Sequence, residues 1–361
     1  MAPTPHPEGG PSSVVELASG VDALYLSGRA DLSPWLFEAL DERRHQAIES
    51  EAPAPLILAG EEFGMEPRAF GRYKYWLVHR HGQIGITSSE KLPALRVQPR
   101  AEFLHAAGPA SVLNFFNEIG EFLAGGPVRW GLSRLDLFCD VQGWTLVGDD
   151  RHRFVCRGKA RATHEEDGVF TGFEFGRRST KTVCARIYDK TLQVEKKGLD
   201  WWPKVWGERF DKDRPVLRVE FEMGREGLKE YGVETPAQGL EAAARLWASV
   251  SADWLSYRSP IADDTKSRWP VAQEWAAVQS ASLRSNAIGV DRVRSGRKHG
   301  ELRTVLPAAV GYLASIGAIV GTPDSRSTLA AFSRLILEDE RRRHVPFDDR
   351  VAERVAARRY Q

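Results

Sequence analysis

Arg134-Leu135-Asp136-Leu137-Phe138-Cys139-Asp140, Arg186-Ile187-Tyr188-Asp189-Lys190 and Arg218-Val219-Glu220-Phe221-Glu222-Met223 share one pattern, an alternation of apolar and polar residues with period two. That is the signature of a β-strand with one buried face, because successive side chains of a strand point to opposite sides. In the first stretch Leu135, Leu137 and Cys139 face one way and Arg134, Asp136 and Asp140 the other. In the second, extended back to Val183, the apolar set is Val183, Ala185 and Ile187, and the opposite face carries Arg186, Tyr188 and Lys190. In the third, Leu217, Val219, Phe221 and Met223 oppose Arg218, Glu220 and Glu222. If the three strands share a sheet, one face is core and the other gathers four carboxylates, a tyrosine and several cations. Polar sheet faces also occur as plain solvated surface, where opposed charges are ordinary cross-strand pairs. The tyrosine at the centre of the second strand is what argues beyond that reading.

Outward from these strands, the order of elements predicts an α+β protein: antiparallel sheet with interspersed helices, then helices alone. Residues 1–13 are rich in Pro, Gly and Ser and read as a disordered lead-in, followed by a helix from Pro34 to Ile48. Strands are expected from Pro55 to about Val97, and a helix over 111–124, where Val112, Phe115, Phe116, Ile119, Phe122 and Leu123 form one apolar stripe. More strands are expected between Arg153 and Phe175, and an amphipathic helix over 239–257. Pro260 to Pro270 reads as a linker. The expected division is 1–50 as lead-in and helix, 51–260 as the sheet-based catalytic domain, and 261–361 as a smaller, partly basic helical domain.

The chain has 361 residues, 42% of them hydrophobic and 27% charged, which predicts a folded soluble protein with a sizeable core. Its net charge of +1 excludes a uniformly basic nucleic-acid coat, so a nucleic-acid surface has to be a local patch. The three cysteines, Cys139, Cys156 and Cys184, are odd in number and show no CxxC spacing, which argues for a reducing compartment and against a zinc knuckle. No long apolar run and no secretory leader are legible, so no membrane partner and a cytoplasmic location are expected.

Carboxylates on one face suit a hard divalent cation, Mg²⁺ or Mn²⁺. A cation beside a tyrosine hydroxyl and guanidinium groups is the equipment needed to attack a phosphodiester. Tyr188 is the candidate nucleophile, with Arg186 and Lys190 two residues to either side on its face, positioned to favour the phenolate. Asp136, Glu220, Glu222 and Asp140 are the candidate metal ligands, with Glu174 a fifth. Arg134 and Arg218 suit phosphate clamping, because a guanidinium presents a fork of donors.

The run Thr171-Gly172-Phe173-Glu174-Phe175-Gly176-Arg177-Arg178-Ser179, then Ala185-Arg186-Ile187-Tyr188-Asp189-Lys190, then Leu217-Arg218-Val219-Glu220-Phe221-Glu222, resembles the replication initiation factor family. Ser133-Arg134-Leu135-Asp136 upstream resembles that family's Arg-x-Asp strand, so the resemblance spans roughly 55–260. The family includes initiators of rolling-circle plasmids, relaxases of conjugative elements and initiators of filamentous phages. The resemblance implies a curved, saddle-like sheet and a metal-dependent nicking enzyme. Tyr188 would attack one strand at an origin and hold its 5′ phosphate, with Asp136 and Glu220 among the metal ligands. A conjugative relaxase shares this chemistry, and a DNA-binding regulator that has lost cleavage shares the fold. One departure is visible. The family often has a glutamate about three residues after the Asp that follows the tyrosine; here the run is Leu192-Gln193-Val194-Glu195.

Other features point to DNA contact. Arg284 to Arg303 is locally basic, and Arg292, Arg294, Arg297 and Lys298 there suit phosphate contacts, as do Arg177 and Arg178. Trp201, Trp202 and Trp206 suit either core packing or stacking on unpaired bases, with packing favoured. No Walker-type loop is present, so unwinding would need a host helicase. The expected partners are origin DNA, supercoiled or single-stranded at the nick site, that helicase, and a second copy in a homodimer. Two rival motifs are weaker. His79-Arg80-His81 puts both imidazoles on one strand face, but Gly82 follows at once and the order of elements differs from that of His-hydrophobe-His nickases. Tyr360 follows His299 and Arg303, which lack the His-x-x-Arg spacing of a tyrosine recombinase.

Overall fold

In the computed structural model, residues 14–180, 182–283, 302–343, 346–349 and 351–352 are described. The chain divides into two compact units, 1–293 and 294–361, and each is taken by itself. The first carries a sheet of eleven strands: β1 (Val15–Arg29), β2 (Ala54–Leu58), β3 (Glu61–Met65), β4 (Tyr75–His79), β5 (Gly82–Ile86), β6 (Leu95–Pro99), β7 (Arg129–Gln142), β9 (Arg161–Glu166), β10 (Val169–Gly176), β11 (Val183–Asp189) and β12 (Leu217–Gly224). Two short strands, β8 (Phe154–Cys156) and β13 (Leu255–Tyr257), pair separately. The order across the large sheet is β2-β3-β4-β5-β6-β1-β7-β12-β11-β10-β9, antiparallel at every pairing. With its helices this is the expected α+β architecture.

The three opening stretches are β7, β12 and β11, side by side. Leu135, Leu137, Cys139, Val183, Ala185, Ile187, Val219 and Phe221 are all buried, as the alternation requires. They form one core with helices α1 (Pro34–Ser50), α2 (Ala101–Ala124) and α6 (Pro236–Ser249). Burial of such a face is the main source of stability, at about 25 cal/mol per Å² of apolar area. Helix α2 begins ten residues before the expected apolar stripe, and it bends where Gly108 takes φ 79° just ahead of Pro109. Val112, Phe116, Ile119 and Leu123 then line its buried side.

Three expectations are corrected. The lead-in assigned to 1–50 contains β1, a strand of 15 residues between β6 and β7 in the middle of the sheet. Its pairing with β7 shifts register three times, at Glu16/Ala18, Val21/Ala23 and Tyr25/Leu26, so strict alternation is broken. The helix expected over 239–257 stops at Ser249, passes through a π turn at Val250–Trp254 and becomes β13. Residues 261–283 belong to the first unit: α7 (Gln273–Gln279) buries Trp275 and Val278 in the main core. Residues 1–13 lie outside the described residues.

In the second unit, α8 (Leu302–Val320) and α9 (Ser325–Arg343) are helical as expected. Among the described residues no helix is long and apolar enough to cross a membrane.

Candidate active site

The register of four strands builds the polar face. Gly172, Tyr188 and Arg218 lie in one row with Asp140; Glu174, Arg186 and Glu220 lie in the next with Phe138; Cys184, Glu222 and Asp136 lie in the third. Directly opposed residues of an antiparallel pair share a face, so these side chains meet. The Tyr188 hydroxyl donates to Glu220 Oε2 at 3.1 Å, and Arg186 donates to Glu220 Oε1. Arg134 forks onto Asp136, its Nε 2.7 Å from Oδ1, and also lies 2.9 Å from Glu222 Oε2. Arg178, in the turn after β10, reaches the same Glu222 oxygen at 2.9 Å. Three carboxylates therefore meet three arginines beside one phenol. The carboxylates of Asp136 and Glu220 are almost wholly covered, while the arginines stay part-exposed above them.

Gly172 lets the tyrosine sit where it does. A Cβ there would come within 2.3 Å of the Ile187 carbonyl oxygen and 2.9 Å of Tyr188 Cα. Any larger residue pushes β10 off β11 at the backbone of Tyr188 itself.

The other half of the face is closed. Helix α4 (Trp202–Trp206) and the residues beside it lie over Phe138, and Leu17, Ala18, Val194, Val205 and Val216 complete a second apolar cluster. Beneath it Arg218 is fully buried, its guanidinium 4.1 Å from the Phe138 ring centroid and 4.2 Å from that of Trp202. Its Nε and Nη2 donate to the two oxygens of Asp140 at 2.7 and 2.8 Å, and its Nη1 donates to Asp22 at 2.7 Å. The Trp206 indole donates to Asp140 at 2.8 Å. His105, from α2, lies 3.4 Å from Asp22.

These contacts correct several expectations. Asp140 has both oxygens taken and no exposure, so it is not placed as a metal ligand. Arg218 is a buried structural cation and not a phosphate clamp, because three hydrogen bonds and two rings enclose it. Lys190 is not a third member of the Tyr188 strand face. The strand ends at Asp189, whose side chain caps the next helix, α3 (Lys190–Lys197), by accepting from the Leu192 amide. The Lys190 ammonium instead sits over Trp202 and donates to Gln193 at 2.6 Å. Gln193 is thereby a partner of that lysine, while Glu195 is exposed on the same helix. The tryptophans pack as core, Trp202 and Trp206 being buried.

The electrostatics also depart from expectation at Tyr188. Its hydroxyl is held well above the usual tyrosine range, first by burial and then by the Glu220 charge; Arg218 and Arg186 pull the other way and are outweighed. The flanking cations therefore do not give a resting phenolate. What the site offers is a neutral phenol already hydrogen-bonded to a carboxylate. Asp136 is pushed up to about 8, by burial first, with Glu220 and Glu222 adding repulsion against the pull of Arg134.

The donor set of Asp136, Glu220 and Glu222 has the chemistry a hard divalent cation takes, oxygen ligands carrying negative charge. As the side chains stand, each is turned to a guanidinium, and among the described residues no three His, Cys, Asp or Glu side chains converge as a metal cage. Glu174 is half-buried on β10 opposite Arg186, with His164 3.9 Å away. Arg177 is exposed beside Arg178. Arg292, Arg294, Arg297 and Lys298 lie outside the described residues, as do His299 and Tyr360. His79 faces Glu61 at 3.2 Å and stacks between Phe63 and Phe115, a packed pair at a strand end.

Three residues of the face escaped the sequence reading. Tyr25 lies under the Arg134 guanidinium, 4.9 Å from ring centroid to carbon, and Asp22 and His105 complete the closed half. Asp22 sits at a bulge of β1, where period-two reading fails, and His105 comes from a helix with no local signal of its role.

No family model matches the chain, and no curated protein is similar to it. Among solved structures, a rolling circle replication initiator protein from Geobacillus stearothermophilus is similar at 16% identity, with a TM-score of 0.45, over 74% of this chain and 98% of that one.

Proposed function

We propose that the chain is a replication initiator that nicks one DNA strand through Tyr188. The observation that carries this reading is the hydrogen bond from the Tyr188 hydroxyl to Glu220, beside the part-exposed guanidinium groups of Arg186, Arg134 and Arg178. A phenol needs a base to become a nucleophile and cations to meet the charge that builds on phosphorus. Glu220 accepts the phenolic proton as the oxygen attacks. A bond forms between Tyr188 Oη and phosphorus, the bond from phosphorus to the 3′ oxygen breaks, and that oxygen leaves to take up a proton. The 5′ phosphate stays on Tyr188, and the free 3′ hydroxyl primes synthesis. Arg186 is the guanidinium nearest the phenol, and Arg134 and Arg178 extend the charge along the face.

A divalent cation, Mg²⁺ or Mn²⁺, belongs to the proposal. Asp136, Glu220 and Glu222 would hold it once Arg134 turns from Asp136 to the incoming phosphate. Such a cation neutralises phosphate oxygens. The DNA bound is the origin of the chain's own element. The basic residues 292–298 as further phosphate contacts, a host helicase, a homodimer and a cytoplasmic setting remain part of the proposal.

The test is incubation with supercoiled DNA of that element, with Mg²⁺ or Mn²⁺ and then with chelator. The expected result is relaxed DNA and an SDS-resistant protein–DNA adduct, both absent in Tyr188→Phe. Tight binding with no nicking under any metal would leave a non-catalytic DNA-binding regulator.

A further inference from the structure

A second charged site lies on the same sheet face, at the far end of β1 and β7. Here Arg29 stands directly opposite Arg129 in the ladder. Like charges facing each other across a strand pair are destabilising unless something neutralises them. Arg225, at the start of α5 (Arg225–Glu230), and Lys229 on that helix line the same cavity of about 250 Å³, with Glu234 the one acid in its wall. Among the described residues none of the three arginines has an ion-pair partner, and Lys229 has only Glu226 at 3.6 Å. In a chain whose net charge is +1, this is a strong local excess of positive charge.

Which face the arginines occupy depends on a bulge. Strict alternation from Arg134 would put Arg129 on the core side. The register shift between Tyr25/Arg134 and Leu26/Leu132 leaves Ser133 as an extra residue and reverses the phase. Leu132 then turns inward, whereas Gly131 and Arg129 share a face with Tyr25, Ser27 and Arg29. The Ser27 hydroxyl donating to the Gly131 carbonyl at 3.3 Å, and Trp130 reaching Asn117 of α2 on the other side, agree with that phase. Tyr25 carries Arg134 over its ring, so the arginine cluster and the carboxylate–tyrosine cluster look out from one surface. Arg134 and Arg129 stand opposite Tyr25 and Arg29, four residues apart on β1, so they lie about 13 Å apart along the strands.

We infer that the Arg29–Arg129–Arg225 cluster binds the phosphate backbone of the DNA that flanks the nick site. This rests on the proposed nicking at Tyr188 for its choice of polyanion. The cluster holds the flank by charge, since Arg29, Arg129 and Arg225 are all exposed cations.

The test is the salt dependence of binding to a fluorescent duplex, followed by anisotropy, for the full chain and for Arg29→Gln/Arg129→Gln/Arg225→Gln. Each lost phosphate contact removes about 0.9 from the slope of log K against log salt. The triple variant is expected to lose about 2–3 from that slope and roughly a hundredfold in affinity near 0.15 M salt. Arg29→Lys/Arg129→Lys/Arg225→Lys should keep the slope. An unchanged slope in the glutamine variant overturns the inference, and so does a loss equally deep in the lysine variant, which would mark a structural role. If the intact chain forms no adduct at Tyr188 while the glutamine variant still loses slope, the nicking reading fails and the backbone site stands.

Discussion

Replacing Arg218 by methionine tests whether the closed half of the polar face is a structural keystone. The guanidinium has no exposure and makes three hydrogen bonds to two carboxylates, at 2.7, 2.8 and 2.7 Å. Charge-assisted hydrogen bonds contribute about 1.5–3 kcal/mol each, which gives a ceiling of roughly 5–9 kcal/mol. Methionine fills much of the volume between Phe138 and Trp202, so the cavity cost is small. The larger effect is that Asp140, fully buried, and Asp22, partly buried, lose their counter-charge. Breaking a buried pair in this way costs about 3–5 kcal/mol. At about 2–4 °C per kcal/mol for a unit somewhat smaller than this one, melting should fall by roughly 6–20 °C. Adding Asp22→Asn and Asp140→Asn should recover most of the loss, because the stranded charges go with the arginine. The assay is urea and thermal unfolding followed by circular dichroism for the single and triple variants. A single variant within about 1 kcal/mol of the parent would refute the reasoning. If that variant also lost DNA binding, Arg218 would be a phosphate contact after all.

Other outcomes follow from the same geometry. Lys190 is pushed down to about 8 from its ordinary 10.5, by burial first and then by Arg218, so between those values the unfolded chain binds the proton that the folded chain has lost. Stability should therefore rise with pH across that window and be flat in this respect below it, by about 3 kcal/mol at most; Lys190→Met should remove the slope in pH-dependent urea unfolding. Glu220→Gln should slow adduct formation by about 10²–10⁴-fold, as expected for loss of a general base, while duplex affinity by anisotropy stays within a few-fold. Gly172→Ala should abolish nicking at near-normal DNA affinity, since its Cβ would strike the backbone at Ile187 and Tyr188; a fully active alanine variant would mean that the strand pair yields easily.

Much of the polar face was legible in the sequence because its residues sit on strands that obey their period. The alternations in 134–140, 183–188 and 217–223 put Asp136, Arg186, Tyr188, Glu220 and Glu222 on one face, and the pairing of β7, β12 and β11 brings them together. Period two says nothing about what lies above a face. Asp140 and Arg218 obey the same alternation, yet a tryptophan-bearing helix from 202–206 covers them and turns them into core. Lys190 follows the pattern numerically but belongs to the first turn of α3, where the helical period takes over. Strand β1 was hidden because its three register shifts scramble the alternation that would have revealed it. Those same shifts deliver Asp22 to Arg218 and turn Arg129 outward, so the residues hardest to read in the sequence are ones whose placement depends on irregular backbone.

The most direct measurement is peptide mapping of the covalent protein–DNA product. After reaction with cognate DNA and nuclease trimming, mass spectrometry should find a nucleotide-bearing phosphotyrosine in the peptide containing Tyr188, and at no other tyrosine. An adduct on a different residue, or strand cleavage in Tyr188→Phe at the parental rate, would contradict the assignment of the nucleophile and with it the role given to Glu220.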